Sequence, residues 1–412
     1  MVLLHECPRS ERKNYLEKGD GFGPFVTVVG DDAEIGLACR AEDDRRRDKS
    51  ARAIRPHSQF HHDLQRTCSD DTTRGETDRL GSRLAWAAGL LGGSRTRHDV
   101  GAQLIPLTVW VGPKAEKGRG LVAFGSTHGN EYEGPVALKQ LLGEIDLTNV
   151  TGRIIIIPVL NVEAFRTGTR DSVEADRVNL NRAFIDGAGK QPTLAGITHR
   201  LAAFVRDHIW PQVHVVIDLH SGGTMVRFDI CASFHPIDDP EQARLTADAA
   251  RWFGVPMIMV YQNNTPGLLT SEAERLGKIT VGTELGWGEA VLRKGVTYGR
   301  QGVLAAAINH GQLAGKIEPI SHHADGTQKC AAIVDFECYV PAPFAGHYEE
   351  VLPCGVRVKK GDLVGRLHDF ARIDEPAWPV CAGVDGLVVG QAWAARVRQG
   401  QFILCVGREQ PW

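Results

Sequence analysis

Apolar and polar residues change rhythm along this chain of 412 residues. Residues 1 to about 82 show no sustained period. Ala41–Arg55, AEDDRRRDKSARAIR, is a mixed charge run, and His57–Arg83 is polar. Such composition buries too little apolar surface to offset the entropy of ordering. Residues 1–95 are therefore expected to be a polar, partly disordered extension. His61-His62-Asp63 lies within it and reads more simply as a solvated polar stretch than as a metal site.

From Leu104 the pattern becomes regular. Leu104–Gly112 alternates and is rich in β-branched residues, which predicts a strand. Gly120–Phe124, Arg153–Val159, Val213–Leu219, Val255–Tyr261 and Ile279–Glu284 are short apolar runs, which predict strands. Helices are predicted over Glu133–Ile145, Leu194–Trp210, Pro240–Phe253, Leu268–Leu276 and Gly299–Leu313. Asn161–Phe184 reads as a long polar loop. Strands alternating with helices imply an α/β class, with a mostly parallel sheet flanked by helices on both faces. After Pro319 helical spacing stops. Short β runs follow at Ala332–Val334, Tyr339–Val340, Leu387–Val389 and Phe402–Val406. Val358-Lys359-Lys360-Gly361-Asp362 and Val397-Arg398-Gln399-Gly400-Gln401 repeat one form. The expected organisation is the extension at 1–95, an α/β domain at 96–319 and an all-β domain at 320–412. The repeat resembles the barrel-sandwich folds of biotinyl and lipoyl carriers. The matching turn, Val384-Asp385-Gly386, has no lysine to modify, so the expected role is structural, or a wall of a site.

Composition narrows the function. A net charge of −3 gives no general attraction to nucleic acid or to an anionic membrane. No run of 18 apolar residues predicts a membrane span. The N-terminus has too short an apolar stretch, and the wrong charge order, for a signal peptide. Nine cysteines without a Cys-x-x-Cys pair fit reduced thiols, and hence the cytoplasm, better than a disulfide framework. Cys231, Cys338 and Cys405 lie in apolar runs and are expected in the core.

The chemistry gathers where predicted strands end. His128 and Glu131 follow the Gly120–Phe124 run, and His220 closes the run from Val213 to Leu219. In open α/β sheets sites are built at such carboxyl ends. A zinc-type ion accepts mixed nitrogen and oxygen ligands. Two His and one Glu leave a fourth position open, as catalytic zinc sites do. Asp218, two residues before His220, either orients a ligand imidazole or caps a neighbouring loop.

Four motifs occur in order: GSTHGNEYEGP (Gly125–Pro135), VNLNRAF (Val178–Phe184), DLHSGG (Asp218–Gly223) and VGTELGWG (Val281–Gly288). On these, the chain from about Thr96 onward resembles the succinylglutamate desuccinylase/aspartoacylase family, relatives of the zinc carboxypeptidases. FRTGTRDS (Phe165–Ser172) before NLNR resembles most the bacterial deacetylases of N-acetyl-2,4-diaminobutyrate, which act in ectoine breakdown. The resemblance implies a zinc-dependent amidohydrolase, with one Zn2+ per chain on His128, Glu131 and His220. It implies a small N-acyl amino acid as substrate. Glu284, a carboxylate at a strand end beside glycines, is the expected general base. Asn181 and Arg182 are expected to grip the substrate carboxylate, for which a guanidinium fork is suited. Arg170 resembles the arginine that polarises the scissile carbonyl, although Arg166 and Arg177 share its loop. A succinylglutamate desuccinylase, an aspartoacylase-type deacylase and a non-catalytic metal- or carboxylate-binding relative stay open as alternatives. So does a homo-oligomer.

Overall fold

A computed structural model of the chain describes residues 104–185, 196–262, 265–316 and 328–412, and the backbone of Val2–Leu3. The expectations for the polar extension, including its charge run and His61-His62-Asp63, lie outside the described residues. So does the expected boundary at residue 319.

In chain order the strands and helices begin with β1 (Val2–Leu3), β2 (Leu104–Ile105), β3 (Thr108–Val111), β4 (Gly120–Gly125), α1 (Glu133–Glu144), β5 (Arg153–Ile157) and α2 (Val162–Thr167). Next come α3 (Ile197–Phe204), β6 (Val213–Leu219), β7 (Val226–Phe228), β8 (Cys231–Phe234), α4 (Pro240–Trp252), β9 (Met257–Tyr261), α5 (Leu269–Arg275), β10 (Ile279–Glu284) and α6 (Arg293–Asn309). The C-terminal part holds β11 (Lys329–Ile333), β12 (Tyr339–Pro341), β13 (Gly346–Glu350), β14 (Arg357–Val358), β15 (Leu363–His368), β16 (Trp378–Cys381), β17 (Gly386–Ala392), β18 (Arg396–Val397) and β19 (Phe402–Gln410).

The central sheet runs β11-β9-β8-β10-β6-β4-β5-β3. Its heart is parallel, with β10 beside β6, β6 beside β4 and β4 beside β5. Antiparallel pairs occur at β3/β5 and β8/β10. The alternation of side chains across a strand explains how these apolar runs serve two faces. Leu121, Ala123, Ile154, Ile156, Val215 and Ile217 face one core, shared with Leu138 and Leu141 of α1 and Val303 and Ala306 of α6. Val122, Phe124, Ile155, Ile157 and Val216 face a second, shared with Leu201 of α3 and Leu269 and Ala273 of α5. Both layers must be apolar, which is why the runs are continuous.

Several expectations shift in detail. The predicted strand Leu104–Gly112 divides around Pro106, which has no N–H for a ladder. The loop expected over Asn161–Phe184 contains α2, which is capped by the Asn161 side chain. The helix expected over Leu194–Trp210 is α only to Phe204, then widens to π winding over Val205–Ile209. β7 and β8 lie in a stretch too short and too polar for a period to show. α6 begins at Arg293 rather than Gly299 and ends at Asn309. Glycines at 295, 299 and 302 blur its apolar stripe, because a helix face can close on them without a side chain.

Beyond β11 the described strands pair antiparallel. β19 pairs with β11, which joins this part to the central sheet. β17 and β14 extend the same path, β12 pairs with β19 beside it, and β16-β15-β13-β18 form a separate sheet. Val364, Leu367 and Val380 of that sheet share a core with Leu387, Val388, Ile403 and Val406. The repeat seen in the sequence is a repeated turn. Gly361 and Gly400 adopt φ of 92° and 78°, a region open to glycine. Asp362 Oδ2 accepts from Lys359 N–H at 2.8 Å, and Gln401 Oε1 accepts from Arg398 N–H at 3.1 Å. Cys231, Cys338 and Cys405 are buried as expected. Among the described residues no helix is long and apolar enough to cross a membrane.

Candidate metal centre and active site

Four neighbouring parallel strands deliver every residue singled out above. From β4 the chain crosses to β5 on one side, then returns past β4 to β6 on the other. This reversal opens a crevice between the carboxyl ends of β4 and β6. His128 follows β4, and His220 follows β6. Glu284 ends β10, the next strand out, and the loop after β5 carries Arg170, Asn181 and Arg182. Ser126, just ahead of His128, is held at φ 54°, a strained conformation of the kind that clusters at functional sites.

The three expected ligands come together. One ligand atom from each of His128, Glu131 and His220 lies within 4.8 Å of the others. Glu131 is the hub. Its Oε1 lies 2.9 Å from His128 Nδ1 and accepts from Arg170 Nη1 at 2.9 Å. Its Oε2 lies 2.8 Å from His220 Nδ1 and accepts from Ser221 N–H at 3.0 Å. His128 and Glu131 are each 2% exposed, so bulk water does little to screen this charge.

The outer nitrogens are also committed. His220 Nε2 lies 2.8 Å from Asp218 Oδ2, and His128 Nε2 lies 3.2 Å from Asn179 Oδ1. Asp218 Oδ1 further accepts from Thr127 Oγ1 at 2.7 Å. Both readings of Asp218 therefore hold at once, since it orients His220 and ties down the loop after β4. An imidazole whose outer nitrogen is anchored offers the inner one to an ion. The donor set is thus two Nδ1 atoms and one carboxylate, which fits a zinc-type ion with a position left open.

Electrostatics follow from this packing. Burial would raise the Glu131 carboxyl, yet His128 and His220 hold it well below the usual range. Burial would lower the His220 imidazolium, yet Asp218 and Glu131 raise it well above its ordinary value. His128 is lowered, chiefly by burial and against the pull of Glu131. Glu284 behaves differently. Burial first, then the negative charge of Glu131, pushes its carboxyl up to about 8. Its Oε2 is buried without a hydrogen-bond partner. Such a group is rare in native structures and calls for an explanation.

The other expected residues are placed as follows. All three loop arginines, Arg166, Arg170 and Arg177, are exposed, and among the described residues Arg170 is the one bonded to Glu131. Arg182 lies on the surface, its guanidinium lowered by burial and by the nearby charge of Arg170. Two guanidinium groups within each other's field favour an anion beside them. The Asn181 amide is partly spent. Its Oδ1 accepts from Leu269 N–H at 2.8 Å, and its Nδ2 lies 3.3 Å from His220 Nε2.

Sequence reasoning missed Asn179 and Glu133. Asn179 stood inside the NLNR motif, but nothing local shows that it reaches across to His128. Glu133 lies two residues past a ligand and reads like any acidic residue in a first helical turn. Loop pairing was equally hidden. Leu285 N–H donates to His220 O at 2.8 Å, and Gly288 N–H donates to Gly223 O at 2.6 Å, which fastens the loop after β10 to the loop after β6. The C-terminal part packs on the same loops. β17 pairs with β7, and Arg227 Nη1 donates to both carboxylate oxygens of Glu350.

Comparison with known proteins gives one family. The succinylglutamate desuccinylase/aspartoacylase catalytic domain matches residues 117–308. The N-α-acetyl-L-2,4-diaminobutyric acid deacetylase of Halomonas elongata is 31% identical over 312 residues, which cover 74% of this chain and 86% of that protein. The product-bound structure of the ectoine utilization protein EutE (DoeB) from Ruegeria pomeroyi is 30% identical, with a TM-score of 0.69, covering 79% of this chain and 95% of that one. A succinylglutamate desuccinylase structure from Silicibacter sp. TM1040 is 28% identical, with a TM-score of 0.70, covering 81% of this chain and 98% of that one.

Proposed function

This chain belongs to the succinylglutamate desuccinylase/aspartoacylase family, and we propose that it is a zinc-dependent amidohydrolase that removes a small acyl group from an N-acyl amino acid. Its substrate would be that of an N-α-acetyl-2,4-diaminobutyrate deacetylase, as in its Halomonas relative. The observation that carries the reading is Glu284. A buried carboxyl with an unpartnered oxygen and raised proton affinity has no structural use at the end of β10. It does have one as a base poised near neutral pH.

A zinc ion on His128, Glu131 and His220, one per chain, would supply Lewis acidity to water and to the amide carbonyl. The rest of the work falls to side chains. Arg182, with Asn181 Nδ2, which also reaches His220 Nε2, holds the substrate carboxylate. Arg170 turns its guanidinium to the scissile carbonyl oxygen as negative charge develops there. Glu284 takes a proton from the attacking water, whose oxygen bonds to the acyl carbon. It returns that proton to the nitrogen as the C–N bond breaks, so a carboxylic acid and an amine leave. The C-terminal strands, a barrel-sandwich-like unit in this reading, wall the site through β7 and Arg227. The six described cysteines are unpaired, which supports a cytoplasmic setting.

The test is a hydrolysis screen of the zinc-loaded protein over N-α-acetyl-2,4-diaminobutyrate, N-acetylaspartate and N-succinylglutamate. Preferred turnover of the first upholds the full reading. Preference for the second or third retains the mechanism and changes the acyl or amino-acid specificity. No turnover of any N-acyl amino acid overturns it.

A further inference from the structure

We propose that Glu289 recognises a cationic group on the amino-acid part of the substrate, so that this site selects N-acyl amino acids with an ammonium side chain. The proposal rests on the deacylase reading and adds the side-chain class to it.

Glu289 follows the loop Glu284-Leu285-Gly286-Trp287-Gly288 that leaves the expected base. It adopts φ of 53°, a conformation non-glycine residues enter only at a cost. Something must hold it there, and the hydrogen bonds show what does. Gly288 N–H donates to Gly223 O at 2.6 Å, three residues past His220. Asn130 Nδ2 donates to Glu289 Oε1 at 3.1 Å. Asn130 is buried and directly precedes Glu131. The exposed Glu289 carboxylate thus touches the first ligand loop through Asn130, and the backbone just ahead of it is tied to the second.

Its charge is left over. Among the described residues no lysine, arginine or histidine pairs with Glu289, and no donor reaches its Oε2. The arginines of the site, Arg170 and Arg182, belong to the loop after β5 instead. A substrate at the metal centre would have two arginines on the loop after β5 and the unpaired carboxylate of Glu289 on the loop after β10. An N-acyl amino acid with one carboxylate and one ammonium group matches both. A dicarboxylate such as N-succinylglutamate would bring like charge to Glu289. The Halomonas relative is named for a substrate of the matching kind, since 2,4-diaminobutyrate acylated on its α-nitrogen keeps a second amine.

The experiment compares kcat/KM for N-α-acetyl-2,4-diaminobutyrate with that for N-acetylnorvaline, which replaces the ammonium by a methyl group of similar size. The parent should prefer the cationic substrate by roughly tenfold or more, the scale of a charge-assisted hydrogen bond. In Glu289→Gln, which still accepts from Asn130, the ratio should collapse toward one through a raised KM for the cationic substrate. Glu289→Arg should move preference toward N-acetylglutamate. An unchanged ratio in Glu289→Gln overturns the proposal. Absence of turnover with every acyl form would instead overturn the deacylase reading. Glu289 is then tested by calorimetric binding of 2,4-diaminobutyrate against norvaline. Tighter binding of the diamino acid that Glu289→Gln abolishes upholds the proposal, and equal binding by the parent overturns it.

Discussion

Ser221 Oγ donates a 2.6 Å hydrogen bond to Glu133 Oε2, deep beneath the candidate metal centre. The other oxygen of Glu133 accepts from Leu292 N–H at 3.2 Å, just ahead of α6. Ser221 N–H meanwhile donates to Glu131. One buried carboxylate therefore joins α1, the loop after His220 and the start of α6. Gly286 closes over it so tightly that a Cβ there would lie 1.9 Å from Glu133 Oε1.

Glu133→Ala should accordingly destabilise the fold. It strands a buried hydroxyl and a backbone N–H and leaves a hole, which together cost roughly 2 kcal/mol or more. Glu133→Gln keeps the volume and an acceptor, and should cost clearly less. Urea unfolding of the metal-free proteins measures both. Equal stability of parent and Glu133→Ala would show that this joint carries no energy.

The metal centre makes a graded prediction. His220→Ala removes a ligand and should abolish most zinc binding. Asp218→Asn leaves all three ligands but weakens the hold on His220 Nε2, and should reduce affinity by roughly 10- to 100-fold. Zinc content after dialysis, with a competing chelator for the second variant, reads the two steps. Full zinc retention in His220→Ala would refute the ligand set.

Much of this centre is legible in the sequence because ligands at strand ends leave local traces: an apolar run, a stop, then His or Glu among glycines. The mostly parallel character of the sheet is also implied, since β–α alternation favours parallel neighbours, whereas the order of its strands is not. What stays hidden is made by contacts between distant segments. Asn179 is 51 positions from His128, and Glu133 is 88 from Ser221. Asn181 shows the same limit from the other side. Its motif marks it as a site residue, but its oxygen is spent on the backbone of Leu269. β7 and β8 escaped because short strands that meet partners far along the chain need no internal period.

A pH effect on stability should arise away from the metal. Burial, with the nearby charges of His214 and Arg119, pushes His310 down to about 4. The unfolded chain takes up this proton near pH 6.5, whereas the folded protein resists it. Stability is therefore full above about pH 6.5 and falls as pH drops toward 4, by up to roughly 3 kcal/mol from this residue. His310 packs against Trp252 and His214, and its Nε2 is buried without a partner. His310→Phe should thus be tolerated and should flatten the loss between pH 7 and pH 5. Denaturant unfolding at the two values checks it, and an equally steep loss in the variant would place the acid sensitivity elsewhere.

The sharpest separation of roles lies between Glu284 and Arg182. Glu284 ends β10, paired in parallel with β6, the strand that leads to His220. Its carboxyl is raised to about 8 by burial and by Glu131, and one oxygen has no partner. Glu284→Gln keeps the size and loses the basicity. The metal ligands and the arginines on the loop after β5 are untouched, so substrate should still bind. The rate should fall by roughly 10²-fold or more, the scale of a lost general base. Arg182→Ala should behave oppositely. It removes a carboxylate contact made both before and during the reaction, so KM should rise while kcat changes little. Steady-state kinetics on both variants, with zinc content measured in each, tell the two apart. If Glu284→Gln turns over its best N-acyl amino acid at near the parent rate with zinc in place, the base lies elsewhere. The mechanism built on Glu284 would then fall even if the zinc site stands.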